Sequence, residues 1–92
     1  MAKADKVNTY QEVVEISQIY LGPAAERFID RQIVNHLGKK PSEFQAADIS
    51  KLIDWIRIAV SFLTEDAELI DDYIAELKQI AARAAGNNHV QE

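Results

Sequence analysis

Six carboxylates crowd one short window of the chain: Glu65, Asp66, Glu68, Asp71, Asp72 and Glu76. Acidity at that density could hold a hard cation or share protons in acid–base work. Glu68 and Asp72 are four residues apart, so on a helix they share a face and repel mildly. The patterns that turn acidity into a site are missing. The sequence has no Asp-x-Asp-x-Asp-Gly loop for calcium and no Glu-x-x-His pair for a di-iron bundle. The run reads as a solvated face or an electrostatic docking rim made of Glu65, Asp66, Glu68 and Asp72. No metal and no cofactor is expected.

His36 is the other candidate for chemistry. A catalytic base needs a nucleophile or an orienting carboxylate within hydrogen-bond reach. Asp48 and Asp54 are the carboxylates considered, although no spacing demands them. The plainer reading is a partly buried histidine, or one at a helix C-terminus where positive charge is favoured. His89 falls in the tail and is expected in solvent. Arg27 and Arg31 are an i, i+4 pair on a polar face. They could grip a phosphate or a partner's carboxylate, or pair with Glu26, Asp30 or another helix. Gly22-Pro23-Ala24-Ala25 is not a phosphate loop, having a single glycine and no nearby lysine. Lys39-Lys40 is too short for a nucleic-acid patch. The absence of cysteine excludes a thiolate nucleophile, a disulfide and a cysteine metal site.

The elements that would position these residues follow from periodicity and punctuation. Thr9 and Glu12 match a capping box, and Tyr10, Val13, Val14, Ser17, Tyr20 and Leu21 then share a face. Gly22-Pro23 ends this helix, and Pro23 suits the first position of the next. That second helix is expected over 24–37, with Ala25, Phe28, Ile29, Ile33 and Leu37 inward, and with Gly38 as its stop. Residues 41–47 form a connector that puts Phe44 over the core. Asp48 is the expected N-cap of the third helix, with Ser42 its rival. Thr64 is the expected N-cap of the last, which should run over 65–84 on a core line of Ala67, Ile70, Ile74, Leu77 and Ala81, widened by Leu69, Tyr73 and Ile80. Gly86-Asn87-Asn88 is its expected stop.

The third helix is the most apolar stretch. At about 100° per residue, Ile49, Leu52, Ile53, Ile56, Ala59, Val60 and Leu63 make one face, and that face is core. Trp55, Ile58 and Phe62 form a second line beside it. Either another part of the chain covers that line or a second protein does. Aromatic residues of this kind are enriched at the centres of protein–protein contacts.

The chain of 92 residues is expected to form one domain at 9–84, with a flexible lead-in at 1–8 and a flexible tail at 85–92. The fold class is all-α: a compact four-helix bundle, with three long helices at minimum. The net charge of −5 disfavours nucleic acid and anionic lipid. Residues 24–37 also carry too few basic or amide side chains for a recognition helix. The first residues are too polar for a signal peptide, and the longest apolar run is far short of the roughly 20 residues that span a bilayer. A cytoplasmic protein is the expectation.

The segment Tyr20-Leu21-Gly22-Pro23-Ala24-Ala25, with Phe28-Ile29 and later Asp48-Ile49-x-x-Leu52, resembles a small helical module of bacterial signalling proteins. That module accompanies receiver or kinase domains, or stands alone in cyanobacterial-type small proteins of unknown function. The resemblance spans 13–63. It implies a cytoplasmic regulatory or scaffolding role and no activity.

The expected function is therefore a non-catalytic protein–protein interaction or scaffolding role, as a homodimer or with a signalling partner. The expected contacts are Trp55, Ile58, Phe62, Leu69 and Tyr73, with the acidic rim beside them. The alternative is a small ligand-binding or enzymatic bundle that uses His36 with carboxylates.

Overall fold

α1 spans Thr9–Leu21 and is capped by Asn8, whose Oδ1 accepts the Tyr10 N–H at 2.8 Å. The expected cap, Thr9, is instead the first helical residue, and asparagine is the stronger capper of the two. The computed structural model describes residues 8–89, and side chains through Ala84. The expected lead-in at 1–8 and the last residues of the expected tail, 90–92, lie outside the described residues except for Asn8.

α1 stops at Gly22, whose φ of 80° and ψ of −159° exclude a residue bearing a side chain. Pro23 then opens a 3-10 turn, Gly22–Ala24. α2, Ala25–Gln32, continues into one π-helical turn, Ile33–Leu37. Gly38 ends that turn in the left-handed region, and its N–H donates to the Val34 carbonyl at 3.2 Å. The expected second helix is present, with its last turn widened.

A 3-10 turn, Pro41–Glu43, leads to Phe44, which is buried as expected. α3, Ala46–Ser61, begins two residues before the expected cap, with Gln45 at the N-cap position. Asp48 lies inside the first turn. Its carboxylate accepts the Gln45 N–H at 2.9 Å and the Lys39 ammonium at 2.8 Å. Burial works to raise the Asp48 pKa, but the Lys39 contact, the Gln45 N–H and the nearby Lys51 together hold it below the usual carboxylate range.

α4, Ala67–His89, is capped by Asp66, whose Oδ1 accepts the Leu69 N–H at 3.1 Å. Thr64 does not cap the helix; its hydroxyl accepts the Asp66 N–H and holds the turn that precedes it. α4 also runs through Gly86-Asn87-Asn88, the expected stop, to His89. One glycine costs a helix only about 1 kcal/mol, and no proline follows to break the ladder.

The core is a single cluster. Val13 and Val14 of α1, Ile29 of α2, Ile33 of the π turn, Ile49, Leu52, Ile56 and Val60 of α3, and Ile70, Ile74, Leu77 and Ile80 of α4 meet there. Each such side chain contributes about 1.5–3 kcal/mol by leaving water. α3 and α4 share the most extensive packing, and α1 lies against both α2 and α4. Two polar contacts pin α1. The Ser17 and Tyr73 hydroxyls are hydrogen-bonded inside the core, and the Tyr10 hydroxyl donates to Asp30 of α2. The all-helical chain is compact, with a radius of gyration of 13.4 Å against about 12 Å expected for its length.

Two expected core residues are outside. Leu63 is 64% exposed, because α3 ends at Ser61 and the following turn carries Leu63 away from the seam. Ala67 is exposed, because it opens α4 at the edge of the bundle.

Candidate docking surface

Trp55, Ile58 and Phe62 are 47%, 51% and 83% exposed, so the described chain covers the first two only in part and Phe62 hardly at all. They project from the outer face of α3 and form a ridge, since α3 spends its other sides against α4 and against α2 with its π turn. His36, on the π turn, lies flat on the Trp55 indole, with centroids 4.0 Å apart and planes 7° apart. That stack fixes the indole's orientation without covering its outer side. His36 is thus held by a ring. No hydrogen bond joins it to a carboxylate among the described residues. Asp48, its proposed partner, is engaged by Lys39 and Gln45.

A furrow runs along each side of the ridge. Towards α4, a hollow of about 280 Å³ is lined by Arg57, Ile58, Ser61, Ala67, Ile70 and Asp71. Arg57 and Asp71 form an exposed ion pair across it at 3.1 Å, a contact of small energetic weight. Towards α2, a cleft of about 220 Å³ is lined by Leu21, Ala24, Arg27, Phe28, Arg31 and Leu63. Phe28 and Leu63 both line that cleft, and His36 stacks on Trp55 further back along α3. α2 and its π turn therefore run antiparallel to α3 along the ridge.

Of the remaining expected contacts, Leu69 is half-buried and Tyr73 is wholly buried. Tyr73 is corrected from surface to core: its ring packs on Tyr20 at 5.2 Å and its hydroxyl meets Ser17. Burial pushes its pKa up to about 12, and the Ser17 hydrogen bond opposes the rise. Glu65, Asp66, Glu68 and Asp72 are all exposed at the start of α4. Asp66 has the additional work of capping.

Arg27 and Arg31 make no ion pair among the described residues, neither with Glu26 nor with Asp30. Asp30 is engaged by Tyr10 instead. Three large apolar residues off the ridge are also exposed: Leu63 at 64%, Val34 of the π turn at 51%, and Ile19 at 75%. Ile19 is the one the pattern missed; it falls outside the Tyr10–Val13–Ser17 line, which is the only signal that could have found it.

Among the described residues no group of three or more histidine or acidic side chains is placed to hold a metal ion, and no helix is long and apolar enough to cross a membrane. Comparison of the chain with protein-family models, with curated proteins and with solved structures finds no match.

Proposed function

We propose that this protein is a non-catalytic interaction module that uses the α3 ridge to bind either a second copy of itself or a signalling partner. The observation that carries the reading is the exposed line Trp55–Ile58–Phe62, three of the six large apolar side chains exposed among the described residues, set at i, i+3, i+7 on one helix. Such a patch on a small domain marks a contact surface. The indole is stacked on His36, so it meets a partner with little further loss of side-chain freedom. Glu65 and Glu68, exposed where the chain passes from the Phe62 end of the ridge into α4, act as a steering rim for a basic partner surface, whereas Asp72 lies near Tyr20 of α1. In this reading α2 with its π turn is the fourth member of a helical bundle. The resemblance of residues 13–63 to bacterial signalling modules supports a cytoplasmic regulatory role.

The test uses Trp55 as its own reporter, because it is the only tryptophan. Association should raise the solution mass with concentration and shift the emission to shorter wavelength. Ile58→Ser should weaken the association at least about tenfold while leaving the circular dichroism unchanged, since Ile58 is half exposed. A chain that stays monomeric, and that retains no native partner which Ile58→Ser loses, overturns the reading.

A further inference from the structure

We propose that the cleft between α2 and the end of α3 receives Phe62 of a second copy of this chain, in a two-fold symmetric dimer. This rests on the interaction reading above and narrows it to one occupant.

Four observations converge on that occupant. The cleft, at about 220 Å³, is smaller than the roughly 300–1,000 Å³ of small-molecule sites and suits one large side chain. Phe62 is the most exposed apolar side chain described, at 83%. It is also held on an ordered stub: its N–H donates to Ala59, and the next two N–H groups, of Leu63 and Thr64, both donate to Val60. A knob so presented loses little freedom on docking.

The charges match as well. Arg27 and Arg31 line the cleft without an ion-pair partner among the described residues. Glu65 and Glu68, which follow Phe62 closely in the chain, are exposed and equally unpaired. A docked copy would bring its carboxylates to these guanidinium groups, where bidentate pairing is strong.

Symmetry supplies the fourth argument. Leu63, the neighbour of the knob, is itself a wall of the hole. Knob and hole are therefore contiguous, and a two-fold axis beside Leu63 lets both copies insert at once. That is the self-complementary surface an isologous interface requires. A dissimilar partner would have no use for the adjacency.

The full chain is examined by sedimentation equilibrium across the micromolar range. Phe62→Ser, Arg27→Glu/Arg31→Glu and Glu65→Lys/Glu68→Lys should each weaken the dimer at least about tenfold. Because all five side chains are exposed, each variant should keep its helical circular dichroism. The charge-swapped chain carrying all four substitutions should return to within about threefold of the original affinity. The two half-reversed chains should lose more at low salt than at high salt. A dimer that survives Phe62→Ser but is lost in Ile58→Ser overturns the cleft and leaves the interaction reading standing, as does a monomer that binds a foreign partner through the ridge. A charge swap that fails to restore the dimer also overturns the proposal. A chain that neither dimerises nor binds a partner overturns both.

Discussion

Ser17 and Tyr73, both fully buried, set two hydroxyls against each other in the core. Each satisfies the other, so removing one strands its partner. Ser17→Ala should cost about 1–3 kcal/mol, whereas Ser17→Ala/Tyr73→Phe should cost clearly less than the sum of its parts. Urea denaturation of the three variants measures that difference. Asp48 makes a second prediction. Its pKa is depressed in the folded state, so its contribution to stability is present above the unfolded value of about 3.9 and is lost as pH falls through the folded value. Asp48→Asn should lower stability at neutral pH and flatten the acid limb of a stability–pH curve. If that limb keeps its slope, Asp48 is not its source.

The joints between helices depend on backbone conformation more than on contacts. A Cβ added to Gly22 would meet nothing within 4 Å, yet the φ of 80° and ψ of −159° are closed to side-chain-bearing residues. The strain of Gly22→Ala is therefore torsional, and the variant should lose about 1–3 kcal/mol. Gly38 sits at φ 66° and ψ 28°, a left-handed conformation that asparagine tolerates. Gly38→Asn should accordingly be much milder than Gly22→Asn. Thermal melts of these variants measure the ranking, and equal losses for Gly22→Asn and Gly38→Asn would contradict it. The π turn after α2 has a visible consequence, since it carries His36, whose ring stacks on the Trp55 indole.

All three tyrosines of the molecule have pKa values raised above the usual 10. Burial is the first cause in each. The Asp30 hydrogen bond and the negative charges of Asp30 and Glu26 add to it at Tyr10, and Glu76 and Asp72 add at Tyr20. Groups whose folded pKa is raised contribute stability that is present below the unfolded value and is lost as pH rises through the folded one. Stability should therefore fall above about pH 10. An absorbance titration should show little tyrosinate at pH 10, with the later rise tracking the loss of helical circular dichroism. A tyrosine that ionises at its ordinary pH in the fully helical protein would contradict this. If the dimer forms, both acid and alkaline midpoints should also move outward with protein concentration.

Periodicity and punctuation were enough to read an all-helical chain and its breaks at Gly22-Pro23 and Gly38, because inward residues recur at helical spacing and both glycines take a positive φ, whereas Gly86-Asn87-Asn88 did not end α4. The committed side of α3 was equally legible in Ile49, Leu52, Ile56 and Val60. Caps were less so: Asn8, Asp66 and Thr64 all carry oxygens that can take an orphan amide, and local geometry chose among them. Tyr73 kept to the side of α4 that its helical period gave it and so could not serve as a surface contact, whereas Leu63 left the core line of α3. Tyr73 points at Ser17 on another helix and is satisfied there, while Leu63 falls just past the last turn of α3 and is swung outward. The ridge of Trp55, Ile58 and Phe62 was visible as a line, but a helical wheel cannot say whether another helix of the same chain lies over it. Coverage depends on where the other helices pack, and that is a property of the assembled core: α2 and its π turn pass beside α3, stack His36 on Trp55, and leave the line about half exposed or more.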